Sequence, residues 1–239
     1  MAFIDPLAFV EVILFLTAVV GTWVTLEGLG AVRRDRPDEL RAILQGAAVP
    51  FLALGSVAFL LSFWGETTWP LPGSYNILFW DVFFLFGIVL MSFGFAFYRG
   101  IRIQYSGLMA LAAGIIVIFY GVTGYQQGLT KDPLETLLLY LGFGAVAILS
   151  LPASLVADWF LAPVRPTQFP WSRAPEVTEP RGAAATEVPA PHEVSATFRR
   201  VVSVAKVVAY LFPVFFGLAA IAALLYIAST VPAHLMSPP

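Results

Sequence analysis

The sequence predicts an all-α integral membrane protein with six transmembrane helices, both termini outside, and a proline-rich cytoplasmic linker between a five-helix block and the sixth helix. Three observations lead there. Apolar residues make up 59% of the 239-residue chain, against 12% charged, and mean hydropathy is +0.84; an ordinary soluble domain is about a quarter charged. Six apolar runs each approach or exceed the roughly 20 residues that a helix needs to cross about 30 Å of hydrocarbon. The basic residues, finally, alternate between connections.

The first run, Leu7 to Ala31, follows an N-terminus with no basic region and carries Glu11; it is too long for a signal-peptide core and is expected to be a retained span. The others are Ile43 to Trp64, Ile77 to Phe97, Ser106 to Gly124, Leu134 to Ala157 and Val201 to Val231. A backbone in lipid must satisfy its own hydrogen bonds, and evenly apolar runs of this length do so as helices, whereas barrel strands are shorter and alternate.

Arg33, Arg34, Arg36 and Arg41 lie in the first connection and Arg99 and Arg102 in the third. The fifth holds Arg165, Arg173, Arg181, Arg199 and Arg200, with Lys206 in the next turn, while the remaining connections and both termini hold only Lys131. Odd-numbered connections are therefore cytoplasmic.

Three units follow: a transmembrane block over 1–160, a linker over 161–197, and the sixth span with a short outer tail over 198–239. Pro163 to Pro191 contains seven prolines and little that forms a core. Such a segment is a semi-stiff spacer reaching up to about 90 Å. It either tethers the sixth helix or lies as a strap over a partner, with Phe169 and Trp171 as anchors. The sixth helix is then free to dock away from the block.

Composition excludes several functions. With no cysteine, thiolate metal sites, disulfides and iron–sulfur clusters are impossible in this chain. The two histidines, His192 and His234, lie outside the spans, so no intramembrane histidine is present to ligate haem or copper. No extended basic surface suits a nucleic acid. Walker, G-x-S-x-G and H-E-x-x-H motifs are missing. The chain alone is expected to bind no cofactor; contact with a lipid or quinone remains open, because aromatic belts and quinone grooves use the same residues.

Charge inside a bilayer is costly and marks candidate sites. Glu11 and Asp81 lie about one turn inside the outer ends of the first and third spans. With Glu66, Tyr75 and Asn76 they are the candidate outer polar pocket, for a cation or protons; the alternative is that each carboxylate snorkels or bonds a neighbouring helix. Glu11 is the candidate partner of Asp81. At the inner end Glu27 is expected to pair with Arg33 and Arg34. In WPLPGSYNILFWD, residues 69–81, Pro70 and Pro72 stiffen the turn, Gly73 permits it, Ser74 or Asn76 is available as a cap, and Trp69 and Trp80 are expected at the headgroups.

Small residues such as Gly55, Gly87, Gly94, Gly114, Gly142 and Ala219 recur along the spans, in places three or four apart, as at Ala110 and Gly114 or Ala219 and Ala223. They serve either packing within the bundle or contact with another subunit.

The stretch WPLPGSYNILFWDVFFLFG resembles the P-G-x-Y-N-hydrophobic segment of an uncharacterised family of multi-pass membrane proteins, mostly archaeal, known as a domain of unknown function. The resemblance implies a polytopic fold over the first five helices, leaves the linker and sixth helix outside, and assigns no catalytic residue. Two functions are expected. The first is a non-catalytic accessory or scaffold subunit of a larger complex in the cell membrane, respiratory or otherwise oxidoreductive, with redox centres in other chains. It would meet those subunits through small-residue faces, the sixth helix and the linker. The second is a small transporter or channel using the outer carboxylates.

Overall fold

A computed structural model of the protein describes residues 6–71, 73–162, 207 and 210–228. Six helices long and apolar enough to cross a membrane stand in the expected order: α1 (Pro6–Arg33), α2 (Pro37–Thr68), α3 (Ser74–Arg99), α4 (Gln104–Gln126), α5 (Pro133–Leu161) and α6 (Tyr210–Ala228). The described residues contain no strand. The linker from residue 163 onwards, with Phe169, Trp171 and His192, lies outside the described residues, as do His234 and the rest of the outer tail.

Several helices run further than hydropathy suggests, for local reasons. Pro37 opens α2, where its missing N–H costs nothing, and Asp38 and Glu39 in the first turn complement the helix dipole. Pro133 and Glu135 do the same for α5. Trp69 ends α2 in the left-handed region, φ 50°, and Gly73 follows with φ 52°. Pro50 and Pro152 sit inside α2 and α5 without ending them, as is common where neighbouring helices support the backbone.

The bundle is built from two tight pairs, α2 with α3 and α4 with α5. Glycine makes them tight: a Cβ on Gly87 would stand 2.6 Å from the Phe59 nitrogen, and one on Gly114 2.7 Å from the Gly144 carbonyl oxygen. Gly55 and Gly94 press on α3 and α2 in the same way. The small-residue faces named above are thus spent largely within the chain.

The sixth helix is also part of the bundle, where the sequence had left it free to dock elsewhere. Phe216 fills the space beside Gly21 of α1, Ala219 lies against Gly142 of α5, and Ala223 packs with Leu139 and Tyr140. At the end of α1 the Arg33 guanidinium stands 5.1 Å from the centre of the Tyr210 ring, a cation–π contact. The physical reason is shape: Gly21 of α1 leaves room for the Phe216 ring, and Gly142 of α5 lets Ala219 approach.

Outward faces carry large apolar side chains such as Val49, Leu60, Phe119 and Leu225, all more than half exposed, as a lipid-facing surface requires. Trp23, Trp64, Trp69 and Trp159 are exposed too. Trp80 is not. Expected at the headgroups, it is fully buried with its ring flat against Gly65; a side chain on residue 65 would have pushed it out.

Candidate functional site

Helix α1 packs closely on α2 but stands further from α3, α4 and α5. The space left over is an elongated cleft, and one stripe of α1 lines it from end to end. Leu7, Glu11 and Leu14 border an outer chamber of about 90 Å³. Thr17, Gly21 and Val24, continuing to Val32, border an inner chamber of about 290 Å³. These residues recur every three or four positions, the spacing of one helix face. Phe86, Val89, Phe143 and Ala147 line both chambers. The rings of Phe86 and Phe143 meet edge to face at 5.9 Å there, forming a neck between the two.

The inner chamber is almost purely apolar. Among the described residues no Asp, Glu, Lys or Arg borders it, and its wall includes Tyr210, Phe212 and Phe216 of α6. Its Ser and Thr hydroxyls are committed to their own helices, and the remaining hydroxyl of the described lining is that of Tyr210. Thr17 donates to the Ile13 carbonyl at 2.8 Å, Thr25 to Gly21 at 2.8 Å, Ser150 to Val146 at 2.9 Å and Ser154 to Ser150 at 2.6 Å. A guest in this chamber meets hydrocarbon, spent Ser and Thr donors, and the Tyr210 phenol. An apolar cavity of about 150 Å³ already stays dry and takes up benzene; this one is larger.

Polar groups gather at the outer chamber. Glu11 is only 6% exposed. Tyr140 donates to the Leu78 carbonyl at 2.6 Å, inside a π-helical turn over Ile77–Asp81 that interrupts α3. Such turns loosen the regular hydrogen-bond ladder and recur at functional sites. Tyr226 of α6 interacts with Thr136 and lies within electrostatic reach of Glu11.

A second polar group stands on the other side of the same end. The Tyr120 hydroxyl donates to Asp81 Oδ2 at 2.7 Å, and the Glu66 carboxyl lies beside that of Asp81. The expected outer pocket is therefore divided. Glu66 and Asp81 do come together, but the partner that Asp81 receives is Tyr120, where the sequence offered Glu11. Glu11 borders the cleft instead, while Asp81, the last residue of the π turn, is bonded by Tyr120 of α4. Tyr75 stacks on Phe79 with ring centres 6.5 Å apart. Asn76 does not cap its helix: fully buried, it accepts from the Leu71 N–H and donates to the Gly65 carbonyl, each at 3.3 Å, tying the turn to α2. Glu66 Oε1 and Trp80 Nε1 are buried without a hydrogen-bond partner among the described residues.

The inner ion pair also differs. Arg34 pairs with Glu39 in the first turn of α2, with Arg36 at 3.9 Å from the same carboxylate; Arg33 takes Tyr210, and Glu27 is exposed. Six or seven residues along one helix is nearly two turns, about 10 Å, whereas the tight turn after Arg33 brings Glu39 alongside. Asp158, which hydropathy alone did not single out, is 8% exposed and accepts from the backbone N–H of Ile103 at 3.0 Å and Gln104 at 2.9 Å. It satisfies orphan donors at the start of α4 across a distance of more than 50 residues in sequence. Tyr120 and Tyr140 were equally unmarked, being two tyrosines among eight.

No curated protein and no solved structure matches the chain significantly. A family model described as "Protein of unknown function (DUF981)" matches residues 1–161, which end at the last residue of α5 and leave α6 outside. The match covers the five helices that the P-G-x-Y-N resemblance implied, about two thirds of the chain, and the protein belongs to this DUF981 family.

Proposed function

We propose that this protein is a non-catalytic accessory subunit of the cell membrane that holds one hydrocarbon-tailed molecule, a lipid or quinone, in the cleft between α1 and α3–α6. The observation that carries the reading is the inner chamber: about 290 Å³, no charged side chain in its wall among the described residues, and every Ser and Thr donor bonded to its own helix. Small-molecule sites are concave and mostly apolar, and this wall offers a guest chiefly hydrocarbon contact, with Tyr210 as its one hydroxyl not bonded to its own helix among the described residues. Holding such a molecule is work suited to a subunit of a respiratory or other oxidoreductase complex whose redox centres lie in other chains. Purification in mild detergent followed by native mass spectrometry tests both parts. A bound lipid-sized adduct and stoichiometric partner chains are expected. An adduct-free protein overturns the cleft, and a protein that never travels with partners overturns the subunit role.

A second reading has one observation in its favour, the adjacent carboxyl groups of Glu66 and Asp81 with Tyr120 bonded to Asp81. As a small transporter the protein would use them as an outer cation or proton site. Asp81→Asn should then abolish ion flux into proteoliposomes, and unchanged flux removes the site from consideration.

A further inference from the structure

The cleft has a direction. Among the described residues no charged side chain borders the inner chamber, its Thr17, Thr25, Ser150 and Ser154 donors are spent, and its remaining hydroxyl is that of Tyr210, whose ring receives Arg33; a carboxyl group and two phenols border the outer chamber, so the polar end of an amphiphile belongs there, beyond the Phe86–Phe143 neck. Taking the inner chamber as a hydrocarbon site, we infer that the outer chamber selects a neutral hydroxyl head, phenolic or alcoholic, received by Glu11 with Tyr140 and Tyr226.

Three features of the lining specify that head. Among the described residues no Lys, Arg or His borders either chamber, so a phosphate or carboxylate head would meet the Glu11 carboxyl with no cation of the described lining to offset the repulsion. The lining is rich in acceptors: the Tyr140 proton is committed to the Leu78 carbonyl, which leaves its oxygen as an acceptor. A carboxyl group has lone pairs enough to take a further donor beside any partner it already holds. An ammonium head would donate too, but burying a second charge against a carboxyl that is 6% exposed incurs a desolvation penalty that a hydroxyl avoids. Size agrees: an outer chamber of about 90 Å³ suits a small head, and the larger inner chamber takes the tail.

The experiment uses the purified full chain, stripped of endogenous lipid, and four probes with the same decyl tail: a benzoquinol, its dimethyl ether, a phosphate and an ammonium. Isothermal titration is expected to show the quinol binding about tenfold more tightly than its ether, the size of one hydrogen bond to a carboxyl group, with the phosphate no better than the ether. In Glu11→Gln the quinol's advantage should shrink to about twofold while the ether still binds. Ala153→Phe, which places a ring in the inner chamber, should abolish binding of all four. Equal affinity for quinol and ether in the unaltered protein, tightest binding by the phosphate or ammonium, or an undiminished preference in Glu11→Gln overturns the head assignment. Probe affinities that Ala153→Phe leaves intact overturn the hydrocarbon chamber itself. The probe comparison on the unaltered chain needs no variant to fold.

Discussion

Gly21 of α1 and Phe216 of α6 occupy one space: a Cβ on Gly21 would stand 2.4 Å from Phe216 Cε1. The contact decides where α6 sits and closes one side of the inner chamber, which both residues line. Lipid offers apolar helices no hydrophobic incentive to associate, so close packing of this kind is what holds α6 in place. Gly21→Leu should therefore expel α6 while leaving α1–α5 together. Limited proteolysis should then cut the chain between α5 and α6 faster. A digestion pattern equal to that of the unaltered protein would show that α6 is held elsewhere.

Phe216→Ala removes the other half of the same contact without a clash. Truncating a buried phenylalanine costs about 3 kcal/mol where the site cannot collapse. A lowered thermal midpoint in detergent is expected, together with a larger inner chamber that still binds hydrocarbon probes.

Gly87 meets backbone rather than a side chain, with Phe59 N 2.6 Å from where its Cβ would be. A ring can rotate away, but a helix must move as a whole. Gly87→Ala is thus predicted to be worse than its single methyl suggests, separating α2 from α3 and reducing the yield of monodisperse protein on size-exclusion chromatography. Gly46→Ala, where no atom lies within 4 Å of the added Cβ, should be neutral.

The Asp158 carboxylate stands on the first backbone donors of α4. Loss of a capping acceptor typically costs about 1 kcal/mol, and more when the donors are buried. Asp158→Ala should lower the thermal midpoint measurably, and Asp158→Asn, which keeps one acceptor, should recover part of it. Equal loss in both would assign the effect to charge rather than to the hydrogen bonds.

Orientation is checked independently of all this. A cysteine introduced at Ser74 is expected to react with an impermeant maleimide from outside, and one at Asp38 is not; this chain has no native cysteine to interfere. The reverse labelling would invert the topology drawn from the arginines.

Much of the fold was legible because transfer into lipid is close to a sum over successive residues. Apolar runs, the arginines at their ends and the P-G-S-Y-N turn declare six spans, their order and the family resemblance without any knowledge of neighbours. The candidate site was legible only in part. Glu11, Glu66 and Asp81 stand out as acids in apolar surroundings, and all three do lie at one end of the bundle. Their partners do not stand out. Tyr120 and Tyr140 are common residue types at ordinary positions, and Asp158 looks like any interfacial acid at the end of a span.

What the sequence by itself determined is therefore the membrane class, the count and order of helices, and the lack of any thiol in the chain. What only the tertiary structure decided is rotation and approach: that Asp81 turns to Tyr120 and Glu11 to the cleft, that Trp80 lies on Gly65, and that α6 returns to α1. Each helix is apolar nearly all round, so no face is chosen by hydropathy. The choice falls to which glycine admits which side chain, and that is a property of two surfaces brought together.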